Sequence, residues 1–215
     1  MTIREIISRI REEVYDKGVP SDDSRLRNRL VYSKMRTIRN DLLVKKSNKN
    51  QLLSPDNYQT VTLPLVLSTT QIPELKSELY ESPTLPNILF NMDEPLIKTV
   101  QNLDSNNPLY ISATTYEKSR YITSSKITGK NKKYYWHNNK LYFINVDCNL
   151  KEVDVTAIFE DVIFDKDSCV SYLDYRFPLQ SELLETLIQM AQEALIKILV
   201  PLSQDLKNNA IDDRN

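Results

Sequence analysis

The sequence predicts an α+β fold: a helical body of two N-terminal helices plus a long C-terminal helix, with a central antiparallel β-rich insertion. Three observations predict it. Apolar residues recur at helical spacing near the N-terminus, they alternate at a period of two through much of the middle, and helical spacing returns after Phe177-Pro178. The segments are 1–57 (the N-terminal helical pair), 58–160 (the β-rich insertion) and 161–215 (the C-terminal helix and tail), acting as one structural unit overall. The 215 residues are enough for one ordinary domain, or one with an appendage. A chain of this size folds without help from a disulfide or a metal.

The first helix opens at Thr2. Glu5 stands three residues on, so hydroxyl and carboxylate each satisfy an orphan backbone amide in a capping box. Ile3, Ile6, Ile7, Ile10 and Val14 then form one apolar stripe, and Gly18 and Pro20 end it. A second helix is predicted from Ser21-Asp22-Asp23-Ser24 to about Lys45, with acids at the positive end of its dipole and Lys45-Lys46 at the negative end. Leu30, Val31, Met35, Ile38 and Leu42 share its apolar face. Arg25, Arg29, Arg36 and Arg39 fall within about 80° of each other on the opposite face.

A turn cluster, Ser54-Pro55-Asp56-Asn57, ends the helical pair. Val61, Leu63, Leu65 and Leu67 then alternate with polar residues, and Pro64 marks that run as an edge strand or a bulge. Between Pro73 and Pro95 we predict a short helix at Glu74–Tyr80 and an extended connection. Further strands are predicted at Leu96–Leu103, Leu109–Thr115, Arg120–Ile127, Lys132–His137, Lys140–Val146 and Val153–Phe159. Asn138-Asn139 suits a two-residue type I′ turn, because asparagine tolerates positive φ. After Pro178, leucines and isoleucines from Leu179 to Leu199 mark a helix of about 20 residues that Pro201 stops or kinks. The tail beyond it is polar and is expected to order only against a partner.

Composition removes several enzyme classes. Gly18 and Gly129 are the only two glycines, so phosphate-cradling loops, dinucleotide fingerprints and nucleophile elbows cannot be built. His137 is the single histidine, and Cys148 and Cys169 have no C-x-x-C spacing, so a thiol–imidazole zinc site is excluded. We expect two buried free thiols in a reducing compartment, and no catalytic residue, metal or cofactor. Pro55-Asp56 with Glu74-Leu75-Lys76 matches the loose P-D…E-x-K spacing of metal-dependent nucleases. Its Glu-x-Lys should lie on a core strand, whereas here it follows Pro73 and precedes a predicted helix. The N-terminus has no apolar signal region, and no apolar run is long enough to span a membrane.

The 28 Lys+Arg nearly cancel the 29 Asp+Glu, which excludes a polycation held to nucleic acid by bulk charge. Residues 1–50 carry 13 bases against 7 acids, so the rest of the chain is acidic. Opposite signs at two ends suggest that one end meets the other, or meets another copy. Two basic features are candidate contacts: the arginine stripe (Arg25, Arg29, Arg36, Arg39) and the span 116–140, with Lys126, Lys130, Lys132 and Lys133 at its centre. Each fits an acidic protein surface, DNA phosphate contacted without base readout, or merely a solvated face. Tyr134, Tyr135, Trp136, Tyr142 and Phe143 fit either a stacking platform for single strands or cross-strand packing, and packing is the reading we prefer.

Thr2-Ile3-Arg4-Glu5-Ile6-Ile7, the run Ser21–Tyr32, Asp174-Tyr175-Arg176-Phe177-Pro178-Leu179 and the closing Pro201–Ala210 together resemble the structural ring proteins of crAss-like short-tailed bacteriophages. In element order the chain is also similar to head-to-tail adaptors of other short-tailed phages. The resemblance implies a non-enzymatic virion protein of the tail or portal vertex, assembled in the host cytoplasm. It implies a ring, with twelve copies around the DNA channel, the portal protein and neighbouring tail rings as partners, only non-specific proximity to duplex DNA, and no membrane. The alternative is a small nucleic-acid-binding protein using the basic second helix or the aromatic hairpin.

Overall fold

The computed structural model describes residues 1–16, 26–69, 75, 77–102, 109–122, 130–146, 150–164 and 169–212, with side chains as far as Leu199. The chain divides into two compact units: Met1–Asn57 with Phe164–Asn215, and Tyr58–Ile163.

The first unit is helical. Helix α1 spans Ile3–Asp16 and opens as its sequence demands: Glu5 N–H donates to Thr2 Oγ1 at 3.3 Å, and Thr2 N–H donates to the Glu5 carboxylate at 2.8 Å. Its five stripe residues, Ile3, Ile6, Ile7, Ile10 and Val14, are all buried. Helix α2 spans Asn28–Asn48; the predicted start at Ser21 lies outside the described residues. Another helix, Ser181–Asp212 (α4 in chain order), packs against both α1 and α2 through Leu187, Ile188, Ala191, Leu195 and Leu199.

Pro201 does not stop this helix, whose backbone is helical for 32 residues rather than the 20 or so expected. A proline removes one N–H and crowds one carbonyl, at a cost of about 3 kcal/mol. Packed turns on its N-terminal side hold the helix through it. The N-terminus is pinned to the segment entering the helix. Thr2 bridges Arg176 in antiparallel fashion, Ile3 N–H donates to Tyr175 O at 3.0 Å, and Arg4 grips Asp174 at 2.8 Å.

The buried face of α2 is Val31, Met35, Ile38, Arg39 and Leu43, so it is rotated from the face read from the sequence. Arg39 is only 1% exposed and is not on a solvent stripe. Its Nε donates to Pro178 O at 2.8 Å and its Nη1 to Asn40 Oδ1 at 3.0 Å; Nη2 reaches Asn57 O at 3.5 Å. Beside it the Asn57 amide donates to Gln180 Oε1 at 3.1 Å, and Gln180 N–H donates to Asn57 Oδ1 at 2.9 Å. A buried guanidinium is tolerable only when its donors are met. Carbonyls from two other segments meet them here, and that turns Arg39 inward. Arg39→Ala should therefore cost about 2–4 kcal/mol, because it strands those carbonyls and leaves a void. Chemical denaturation checks this, with Arg29→Ala as a control expected within about 0.5 kcal/mol of wild type.

The second unit is β-rich. One sheet orders three strands as β1 (Gln59–Pro64), β10 (Glu152–Ala157) and β6 (Ile97–Asn102), all antiparallel. Pro64 does sit on an edge strand. Another sheet orders β2 (Val66–Leu67), β3 (Leu79–Glu81), β9 (Lys140–Ile144), β8 (Lys133–His137) and β7 (Ser112–Ala113). Every pair is antiparallel except β7–β8. A small hairpin joins β4 (Phe90–Asn91) to β5 (Glu94–Pro95). Asn138 and Asn139 have φ of 50° and 57°, the conformation their turn requires.

Two expectations fail in this unit. Leu79 and Tyr80, placed in a helix by sequence, are strand residues paired with Ile144 and Phe143. Burial of Leu79 against the sheet outweighs helical propensity there. Arg120–Ile127, placed in a strand, begins instead as turn after a short helix α3 (Tyr116–Ser119); Thr115 Oγ1 caps that helix by accepting from Lys118 N–H. Residues 123–127 lie outside the described residues.

The main core holds Leu63, Val100, Val153 and Val155 of one sheet with Tyr134, Leu141 and Phe143 of the other. Tyr135, Tyr142 and Ile144 point to the opposite face, where Ile122 covers them. At the neck of the unit, the Gln59 side-chain amide makes two bonds to Ile163. It donates to the carbonyl at 3.4 Å and accepts from the N–H at 3.3 Å.

Candidate functional site

The arginine stripe does not act as one surface. Arg29 is exposed, Arg36 half-buried and Arg39 enclosed, while Arg25 lies outside the described residues. The exposed side of α2 is nonetheless basic, carrying Arg29 and Lys45 beside Asp41, with Arg27 just before the helix. No described carboxylate lies within ion-pair distance of Arg27, Arg29, Lys34 or Lys45. Charges on α1 are spent differently. Arg9 makes a two-pronged pair with Glu185 at 2.6 and 2.8 Å, and Arg4 does the same with Asp174. Arg4 and Arg9 of α1 are matched within the unit, whereas Arg29 and Lys45 of α2 face outward.

Of the second basic feature, Lys126 is outside the described residues. Lys130 is exposed in a turn, and Lys132 and Lys133 are half-buried at the start of β8. Lys133 and Lys118 border an open cavity of about 580 Å³, floored by Trp136, Tyr134 and Ile97 and rimmed by Asp93 and Glu94. Its borders mix both charges, so it is not an anion trough. The β4–β5 hairpin beside it ends in Met92, which is 84% exposed at a φ of 55°. The sequence reading passed over this hairpin, which is too short to show periodicity.

The aromatic residues are packing. Tyr135 and Tyr142 stack across the strand pair with centroids 5.1 Å apart, and Trp136 meets Phe90 edge-on at 6.2 Å. Burial pushes the Tyr134 phenol up to about 12 and that of Tyr135 higher still, so both stay neutral. Buried rings cannot offer faces to bases. His137 is exposed and stacks on Tyr116 at 5.1 Å.

Lys140 does not extend the basic feature, because its ammonium sits 2.9 Å from Glu81. Hydrogen bonds from Ser68 and Lys140 hold the Glu81 carboxyl below its ordinary range, although partial desolvation opposes them. A carboxylate lowered by folding stabilises the fold above its unfolded pKa, near 4.3, and loses that contribution as pH falls through its lower folded value. Glu81→Gln should therefore destabilise at pH 7 and converge with wild type in strong acid, as thermal unfolding across that range will show.

The nuclease pattern is not assembled among the described residues. Asp56 accepts from Arg176 at 3.2 Å, while Glu74 and Lys76 lie outside the description. No group of three or more His, Cys, Asp or Glu among the described residues could hold a metal ion. Cys169 is a free thiol but is exposed rather than buried; Cys148 is outside the described residues.

With no described catalytic constellation, and with charge turned outward on a helical unit, family membership decides the reading. Residues 5–214 match a family model described as phage tail ring protein 2, of crAss-like phages. The chain belongs to this family. It is thus a structural ring protein of a phage tail, a virion component. The match includes the elements that enclose Arg39. A search of curated proteins finds no match. No described helix is long and apolar enough to cross a membrane.

Proposed function

We propose that this chain is a non-enzymatic subunit of a ring in the portal–tail connector, through which phage DNA passes. Twelve copies would surround the channel, contacting the portal protein and neighbouring tail rings, after assembly in the host cytoplasm. The observation that carries this reading is the family match over residues 5–214. The helical unit supports it, because a three-helix body with Arg4 and Arg9 matched within it and with Arg29 and Lys45 facing outward is suited to packing beside other bodies. The nucleic-acid-binding alternative is weakened, since Tyr134 and Tyr135 are buried and Arg39 is withdrawn from the basic side of α2.

Imaging of the intact particle at subunit resolution should find this chain as a closed ring at the portal vertex, and its absence from purified particles would refute the reading. Purified protein with Mg²⁺ or Mn²⁺ should leave single- and double-stranded DNA intact. Cleavage abolished by Asp56→Ala or Glu74→Ala would revive the nuclease reading.

A further inference from the structure

A ring of identical subunits needs two different, complementary faces on each copy, because head-to-tail contacts repeat around the axis. The helical unit carries two such faces. Of the six Lys and Arg on α2, Arg39 is enclosed and Lys46 lies against Glu182, which leaves Arg29, Lys34, Arg36 and Lys45 at least partly exposed with the single acid Asp41. Arg29, Ser33 and Thr37 are exposed with Asn40 and Arg36 partly so, and the short Ser33 and Thr37 allow another helix to approach closely.

On α4, Glu182 and Glu193 are exposed acids with the exposed Lys197 one turn beyond Glu193, while Glu185 is spent on Arg9. Glu182, Thr186, Gln189 and Glu193 fall within about 60° of each other and are all exposed. Next to that ridge, Leu183, Met190 and Ala194 fall within about 40° and are only half-buried, with Ile198 39% exposed beyond them. Glu193 has no described base within ion-pair distance, and Glu182 accepts from the Gln180 amide at 3.3 Å and meets Lys46 loosely at 3.8 Å. The two faces are the outer sides of separate helices that share one core, so they point in different directions.

From this complementarity we propose that, in the ring assigned above, the basic outer face of α2 packs against the acidic ridge and apolar shoulder of α4 in the next copy. The inference rests on the ring reading and names its contact. A second copy suits these faces better than DNA does. Asp41 lies among the α2 bases, where it would repel phosphate, and the apolar shoulder of α4 has nothing to gain from a polyanion. Mutual docking pairs the bases with acids and covers Leu183, Met190 and Ala194 together.

The test is a charge exchange on the full chain, read as closed rings in solution by electron microscopy and as copies per purified particle. Arg29→Glu with Arg36→Glu should cut ring formation at least tenfold, and so should Glu182→Lys with Glu193→Lys. Each variant should keep the helical circular dichroism and melting temperature of wild type. Combining all four substitutions should restore rings, which a merely structural role would not do. Arg29→Glu alone, at an exposed position, should give a weaker loss and covers the case in which Arg36 is needed for folding.

Rings unaffected by either reversal would overturn the contact and leave the ring reading intact. Loss without rescue would overturn it in favour of another protein partner. Retained rings with lost duplex-DNA binding would assign the α2 face to phosphate. A wild-type protein that is ring-free both in solution and in particles would remove the ring reading itself.

Discussion

Burial of the Arg39 guanidinium is the interaction on which the helical unit depends. The unit is built from two stretches separated by more than 100 residues, and something must bring them back into register. Apolar stripes alone do not fix register, because leucines and isoleucines tolerate sliding by a turn. Directional bonds do. Arg39 ties α2 to the carbonyls of Pro178 and Asn57, while Asn57 and Gln180 exchange amide bonds across the two stretches. The entry of α4 is thereby set against the exit of α2. The pairing of Thr2 with Arg176 then sets α1 against the same entry. Such a polar network must be fully met or it costs more than an apolar core would. Here each member is bonded.

That arrangement explains how charge is divided over the helices. Arg4 and Arg9 serve to hold α1 in place, and their two-pronged geometry gives them more worth than an ordinary surface pair. Arg39 serves the interior. Arg29 and Lys45 of α2 are exposed with no described carboxylate within ion-pair distance. Surplus charge on an exposed helix is ordinary in a monomer. In a member of a tail ring family, where each copy meets others, the same surplus is available for recognition.

The parts legible in the sequence are those set by neighbours along the chain. The Thr2/Glu5 box, the Asn138-Asn139 turn, the edge position of Pro64 and the α1 stripe are all local choices with one good physical outcome. The misread parts depend on distant groups. Arg39 looks like a surface arginine until Pro178 and Asn57 arrive from elsewhere in the sequence. Leu79 and Tyr80 look helical until Ile144 and Phe143 supply a partner strand. Arg120 looks like strand because Thr115 as a helix cap is a weak signal over so short a helix. The cavity bordered by Lys118 and Lys133 draws on three separate segments, and no single run of residues announces it.

The β-rich unit is held together by its own residues. Its strands carry their own core, with Phe143 and Val155 at the centre and Tyr135 and Tyr142 on the opposite face, so its stability is supplied by its own residues. Gln59 and Ile163 close its base with a reciprocal pair of bonds within the unit. A unit with its own core and closed neck can change its exposed features without disturbing residues it does not touch. The exposed features here are unusual for a solvated surface. Met92 is a large apolar residue at a hairpin tip with positive φ, a conformation that asparagine or glycine would adopt at less cost. Placing a methionine there gives up local stability, by an amount that a protruding apolar contact can offset. The helices supply matched, directional charge, and the insertion supplies an adaptable apolar tip. One chain thus presents two kinds of surface, a division of labour suited to a component that must contact both its own copies and different neighbours.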